Sequence, residues 1–560
     1  MGDTVAGCIA RSLAAHGVDR IFCVPGESYI GLTDALFDVP EIGLVVCRHE
    51  GGAGFMAVAD GLITGRPGVC MVSRGPGLSN AMVAIHSAFH DAAPMVVLVG
   101  QVERKDVGRM ALQEQNYGRL LADVTKAVVE IWEPSQASEA IARAFLLARS
   151  GTPGPVAVVL PEDLLDAPSD AVVLPPRPVI LSLPGEADMV RLEALVANAH
   201  RPLVWLGGGI AGEENLAAVR SWAQAWRLPI CATNKRPHLF DANHPNFAGH
   251  VGIRTPASLL DQWKRSDLLI ALGERLTDTL TQSYTFPAAP EPQLPLVHVW
   301  PDADEIGRVW RPALGIAADP AALVRALAER PAPAADAGRD DWIAGLHAAQ
   351  RALSEPNWEL VPDGLNFAAV VCGINRMLPP GAIVTVDAGS FATFVFRYLR
   401  LGGGQQLLTS VVGAMGAGVP MAVAAGLRAP GRRVVAFVGD GGALMSGNEL
   451  ATARQYGVNP LIVIADNGCY GTIGLHHDVR YPGRPLESAT QLSNPDFARW
   501  AESFGAHGLT LDDEAQVTAV LEEAFAIQDR PVVVHAKVSA HQMSAWRQSS
   551  RPLHFERRKA

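Results

Sequence analysis

At 560 residues the chain is too long for a single hydrophobic core, and length alone predicts three or four domains. Hydrophobic residues make up 49% and charged residues 18%, and the longest apolar runs, such as 94–100 and 433–439, fall well short of the roughly 18 residues a membrane helix needs. A net charge of −11 argues against nucleic acid as the main partner.

The opening MGDTVAGCIARSLAAHG has helical spacing without a basic region followed by an apolar block, so no secretory signal is expected. Seven scattered cysteines, none in a CxxC pair, predict neither a zinc knuckle nor a disulfide framework and suit a reducing cytoplasm. The first block (1–168) alternates the strand-like runs RIFCV, GLVVC, GVCMVS and PMVVLVG with amphipathic helices, the rhythm of βαβ units on a parallel sheet. Glu50 stands at a strand end before one of these helices, where taken alone it reads as a helix-start glutamate. His86 and His90 share a helix face, but no third ligand accompanies them and a zinc site is not expected.

Two proline-rich stretches, 166–185 and 329–341, read as linkers. The middle block (185–330) carries the strand-like runs RPLVWLGGG, LPICAT, SDLLIALGE and PLVHVWPD; its GGGI (207–210) is a weak dinucleotide signal. The third block (360–540) repeats the rhythm with GAIVTVDAG, RRVVAFVGDGG, NPLIVIADNG and RPVVVHAKV, and a tail (541–560) follows. The fold class expected is therefore α/β, with three consecutive doubly wound parallel-sheet domains and the chemistry at the carboxyl ends of their strands.

In the third block a strand runs into Gly439-Asp440-Gly441-Gly442, a helix follows, and a second strand ends at Asp466-Asn467-Gly468. A right-handed crossover brings Asp440 and Asn467 to the same sheet edge. Their oxygens, with a loop carbonyl, suit a hard cation. The glycines let backbone approach phosphates, and the following helix offers free N–H groups to a diphosphate. A lone GDG is weak, because glycine–aspartate turns are common.

The whole segment, from GDG to DNGCYG, resembles the thiamine-diphosphate motif that opens with GDG and closes on paired polar residues ending in asparagine. The resemblance implies Mg2+ held by Asp440, Asn467 and the backbone oxygen of Cys469, with Tyr470, Gly471 and Thr472 beside the cofactor. Here Asp466 stands where many members have a first asparagine. RHEGGAGFMAVADG resembles the region of the family's catalytic glutamate, which implies that Glu50 hydrogen-bonds N1′ of the aminopyrimidine. Met415, in TSVVGAMGAG, matches the apolar wedge that bends the cofactor, and Gly413 the carbonyl that meets its 4′-amino group. VDAGSFAT resembles a diphosphate-contacting segment and makes Gly389, Ser390 and Phe391 candidates.

The resemblance covers essentially the whole chain and is strongest to acetolactate (acetohydroxyacid) synthase large subunits, on GPGLSNAMVAIHSAFHDAAPMVVLVGQV, ALQEQNY, RSGTPGPVAVVLPED and SDLLIALGERLTD. It implies decarboxylation of a 2-oxo acid followed by bond formation to a second carbonyl compound. It also implies a homodimer or homotetramer, with Glu50 from one subunit and the metal–diphosphate site from its neighbour. Gln113 matches a pocket glutamine of the synthases. Two departures touch the substrate pocket. Glu27 follows VPG where the synthases usually have glycine, and His476-His477 stand where they carry a tryptophan and an acidic residue. The histidines read equally as acid/base groups or solvated helix residues. A simple 2-oxo acid decarboxylase or a 2-hydroxyacyl lyase on the same scaffold is the alternative, and the small-molecule partner expected is a 2-oxo acid or an aldehyde. Intact Glu50, Asp440 and Asn467 argue against a non-catalytic relative, and no second redox signature accompanies GGGI to support an oxidoreductase. The synthases' middle domain binds a flavin without a redox role, and GGGI with HPNFAGHVGIRT is a partial version of that site, so FAD stays open. Trp546 and the basic ERRK end make the tail a candidate lid.

Overall fold

The computed structural model describes residues 3–252, 255–334, 337–482, 484 and 487–546; the ERRK end of the tail lies outside the described residues. Three parallel sheets of six strands follow one another along the chain. The first has β1 (Arg20–Cys23), β2 (Gly43–Val46), β3 (Gly68–Val72), β4 (Met95–Gln101), β5 (Ala127–Glu130) and β6 (Pro155–Pro161), in the order 2-1-3-4-6-5. The second has β7 (Pro202–Leu206), β8 (Ile230–Thr233), β9 (Phe247–Val251), β10 (Leu268–Leu272), β11 (Leu296–Trp300) and β12 (Leu314–Ala317), ordered 12-11-10-7-8-9. The third has β13 (Ile383–Val386), β14 (Gln406–Leu408), β15 (Val434–Gly439), β16 (Leu461–Asp466), β17 (His507–Leu511) and β18 (Val532–Lys537), ordered 14-13-15-16-18-17.

The central strands are buried on both faces, which is why VVAFVG and MVVLVGQ read as unbroken apolar runs rather than alternating ones. Each sheet has one place where strand order reverses and two loops part above the carboxyl ends, the position where doubly wound folds bind ligands. These switch points lie between β1 and β3, between β7 and β10, and between β13 and β15.

The outer domains share a core in which the Glu50–Thr64 and Gly418–Arg428 helices pack together. A hydrogen-bonded ion pair seals their contact, with Arg428 Nε 2.7 Å from Asp60 and its Nη1 2.6 Å from Asp19. All three domains meet at Asp91. Its Oδ1 accepts from Arg236 of the central domain at 3.2 Å and from the Val411 amide of the third at 2.9 Å, while Arg236 also donates to the Thr409 carbonyl at 3.0 Å.

The second proline-rich stretch is only partly a linker. A helix begins at Arg339 and runs to Ser354, burying Trp342 and Leu346 beside the central sheet, and Trp342 Nε1 donates to the Pro202 carbonyl at 2.9 Å. His86 and His90 stack ring on ring, centroids 4.7 Å apart.

Candidate functional site

At the third domain's switch point, β13 delivers Asp387 and β15 delivers Asp440 on adjacent strands. Asp387 is 1% exposed, and both of its oxygens lie 3.0 Å from the Gly416 amide, while Oδ1 also accepts from Ala388 at 2.7 Å. Burial pushes this carboxyl up to about 6 in spite of these hydrogen bonds. The loop it holds contains Gly413 and Met415. Gly413 at φ 69° and Gly416 at φ 86° supply left-handed turns that a side chain would strain.

The glycines leave a cradle that no Cβ could share. One at Gly441 would lie 2.7 Å from Tyr470 Cε1 and 3.2 Å from Met415 Cε, and one at Gly442 would lie 2.4 Å from Asp387 Oδ2. Gly471 is equally confined, 2.8 Å from both Asn467 Nδ2 and Met543 Sδ at its Cβ position.

Pairing of β15 with β16 sets Gly439 opposite Ala465, so Asp440 and the Asp466–Asn467 turn leave the sheet side by side. Asp440 is 5% exposed and accepts from its neighbour Gly441 at 2.9 Å and from Asn494 Nδ2 at 2.9 Å. The same Nδ2 donates to Asp466 Oδ1 at 2.7 Å, and His535 Nε2 meets Asp466 Oδ2 at 2.8 Å. Burial first, and the Asp466 charge second, raise the Asp440 pKa above the usual carboxylate range. Asp466 is buried too, but His535 and Asn494 outweigh that and keep it below its ordinary value. Two carboxylates at one dry edge favour a bound cation.

Asn467 Oδ1 accepts from the Cys469 amide at 3.2 Å, and the Cys469 carbonyl accepts from Gly471 at 2.8 Å, each keeping a second lone pair. Among the described residues no three His, Cys, Asp or Glu side chains form a group that could by itself hold a metal ion. A cation here would draw on one carboxylate, one amide and one backbone oxygen, a donor set suited to Mg2+. Asn494, His535 and Asp387 were not among the expected site residues; Asp387 lay within VDAGSFAT and His535 within the strand run RPVVVHAKV, whereas Asn494 lay in no quoted stretch.

A cavity of about 790 Å³ opens above these turns and runs under the central domain. Its walls take in Gly389, Ser390, Phe391, Gly413, Met415, Gly439, Asp440, Gly441, Asn467, Cys469, Tyr470, Gly471, Thr472 and His476. Lys235 and His250 of the central domain face them, and Met543 and Trp546 close one side. Arg397 lies over the Trp546 ring at 5.0 Å. Gly442 sits behind this wall against Asp387, and His477 packs on Tyr481 with centroids 5.3 Å apart instead of lining the cavity.

Glu27, Glu50 and Gln113 gather elsewhere, at the first domain's switch point. Glu50 opens its helix and accepts from Asn80 Nδ2 at 2.9 Å. A Cβ on Gly77 would lie 3.3 Å from both Glu50 Oε1 and Ser73 Cβ, and one on Gly26, beside Glu27, would lie 2.6 Å from Ser73 Cβ. The Gln113 carbonyl accepts from Gly75 at 3.2 Å, and Gln113 itself holds φ 65°, an uncommon backbone for a residue with a side chain.

Glu449, of the third domain, reaches across to the start of the Glu50 helix. Its fully buried carboxylate accepts from the Arg48 amide at 3.0 Å, the His49 amide at 3.1 Å and the Thr452 hydroxyl. Large apolar side chains stand in solvent around both clusters: Met110 (96% exposed) and Leu112 (77%) near Gln113, Met445 (49%) and Ile473 (55%) beside the cavity.

Comparison with known proteins finds a family match for each of the three domains. The family profiles matched are the thiamine pyrophosphate enzyme N-terminal TPP binding domain over residues 3–119, the central domain over 190–327 and the C-terminal TPP binding domain over 387–536. The chain is 31% identical to an acetolactate synthase of Mycobacterium bovis over 555 residues, covering 96% of this chain and 88% of that relative. It is 30% identical to the acetolactate synthase large subunit of Corynebacterium glutamicum (95% and 86% covered). With the acetolactate synthase isozyme 2 large subunit of Escherichia coli it shares 28% (95% and 94% covered). The chain belongs to the thiamine pyrophosphate enzyme family and is a thiamine-diphosphate-dependent enzyme of the acetolactate synthase type.

Proposed function

We propose that the enzyme is a Mg2+-dependent carboligase that decarboxylates a 2-oxo acid and joins the remaining fragment to a second carbonyl compound. The observation that carries this is the edge where Asp440 and Asn467 emerge beside a glycine cradle, backed by Asp466, Asn494 and His535. Asp440, Asn467 and the Cys469 carbonyl would hold the cation, and the Gly441–Gly442 backbone would face the diphosphate. Thiamine diphosphate, when bound, supplies a nucleophilic carbon and an electron sink next to the substrate carbonyl. Met415 would support the bend between its rings, and Asp387 would fix the loop bearing Met415 and Gly413. Glu50 would hold and exchange a proton at the aminopyrimidine.

Glu50 belongs to a different switch point from Asp440, and apolar side chains are exposed around both clusters. This supports a homodimer or homotetramer in which Glu50, Glu27 and Gln113 of one subunit complete the cavity of another. No helix among the described residues is long and apolar enough to cross a membrane, and we place the enzyme in the cytoplasm.

A second reading, a decarboxylase or 2-hydroxyacyl lyase, is favoured by Glu27, an exposed carboxylate one loop away from Glu50. Such a group would repel a second anionic 2-oxo acid or protonate the intermediate in its place. Product analysis with pyruvate alone separates the two. Acetolactate supports the carboligase; acetaldehyde without acetolactate supports the second reading.

A further inference from the structure

Two of the three switch points carry the residues assigned above. The third, between β7 and β10 of the central domain, is where a doubly wound sheet takes a dinucleotide, its diphosphate against the turn and helix after the first strand. The resemblance to the synthases leaves a flavin open for this domain, and the residues present do not fit one there.

Two of the glycine turn's backbone donors are already spent. Gly207 N donates to the Leu272 carbonyl at 3.0 Å and Gly209 N to the Gly273 carbonyl at 2.8 Å, which zips the two loops together across the crevice. The first residue beyond Gly273 is Glu274, and its carboxylate lies against the glycine turn: a Cβ on Gly207 would be 2.5 Å from Glu274 Oε2. Burial pushes this carboxyl up to about 7, so near neutrality it is partly ionised where a diphosphate would need positive charge. The helix after the turn adds Glu213 and Glu214 in its first turn.

Trp300, at the end of β11, fills what remains. A Cβ on Gly209 would lie 2.9 Å from Trp300 Cζ3, and the indole is pinned by Nε1 donating to Thr152 Oγ1 at 2.8 Å. Of the two nearby cations, Arg275 lies 5.7 Å from the Trp300 ring centroid and donates to the His90 carbonyl, and Arg236, whose Nε would lie 3.7 Å from a Cβ on Gly208, is held by Asp91 and the Thr409 carbonyl. The large cavity includes Asn234, Lys235 and His250 of this domain, but not Gly207, Gly209, Glu274 or Trp300.

We propose that Glu274 and Trp300 close the central switch point to dinucleotides, and that this enzyme works without a flavin. The inference concerns the central domain's own residues and stands whether the substrate is a 2-oxo acid or an aldehyde.

The test uses the purified full chain, loaded with thiamine diphosphate and Mg2+. It is denatured and assayed for released flavin by fluorescence, and the native protein is titrated with FAD by calorimetry and by quenching of flavin emission. The expected result is no flavin above background and no saturable binding. Stoichiometric released FAD, or saturable binding by the native protein, would overturn the proposal. The same titration on Glu274→Ala and on Glu274→Ala/Trp300→Ala assigns the cause. Binding gained by either variant supports the two side chains as the bar. A correctly folded double variant, checked by unchanged circular dichroism, that still binds no FAD would overturn that assignment in favour of the backbone pairing.

Discussion

Replacing Glu449 with alanine should loosen the start of the Glu50 helix while leaving the rest of the first domain intact. The wild-type carboxylate accepts the Arg48 and His49 amides at 3.0 and 3.1 Å and the Thr452 hydroxyl. Losing a buried acceptor costs about 1–3 kcal/mol for each donor left unpaired. Arg48 and His49 are exposed residues, so water recovers part of that, and about 2–3 kcal/mol is expected in all. Local opening scales with this energy, so exchange of the two amides should speed by about 30- to 150-fold. Glu449→Gln keeps one oxygen in place for both amides, and Thr452 can turn its hydroxyl to accept from the new amide. It should cost about 1 kcal/mol, or roughly a fivefold change in exchange. Hydrogen–deuterium exchange read by mass spectrometry over residues 44–56 measures both. Unchanged exchange in the alanine variant, or equal loosening across the first domain, would refute the reasoning.

Three further outcomes are expected at other contacts. Asp91→Ala strands the Arg236 guanidinium at the three-domain junction and should cost about 3–5 kcal/mol; a thermal unfolding midpoint equal to wild type would contradict this. Gly441→Ala forces a Cβ to within 2.7 Å of Tyr470, and overpacking of about 1–3 kcal/mol should weaken thiamine diphosphate binding by about 5- to 150-fold in a calorimetric titration; wild-type affinity would show that the cradle is not occupied. Burial, with Arg236 and Arg432 nearby, pushes His238 from 6.5 down to about 3, and its Nδ1 accepts the Leu407 amide at 3.2 Å. The folded chain therefore binds fewer protons than the unfolded one below that ordinary value. This contribution to stability is complete at neutral pH and falls on acidification by about 1.4 kcal/mol per pH unit. Midpoints measured from pH 7 to pH 5 should show a shallower acid loss in His238→Gln, and an identical slope would count against it.

The sheets were legible because strands buried on both faces have to be written as apolar runs, as in GVCMVS and RRVVAFVG. The metal edge was legible because Asp440 and Asn467 each close such a run, and a parallel crossover leaves them adjacent. Asn494 was not, because it sits in a loop far along the chain and carries no pattern; only the fold brings its amide between Asp440 and Asp466. Glu449 read as one more helix residue, and its role depends on a domain contact that periodicity does not encode. The helix that follows GDG is not continuous: it breaks into a tighter turn at Gly447–Glu449, and Glu449 lies in that turn. At the central domain GGGI was visible as a turn, but its closure was not, because Glu274 and Trp300 arrive from later strands.

The most direct test of the central claim is calorimetric binding of thiamine diphosphate, with and without Mg2+, to the native chain and to Asp440→Ala. Saturable, Mg2+-dependent binding to the native protein and its loss in the variant are expected. Binding that ignores the metal, or that survives in Asp440→Ala unchanged, would contradict it.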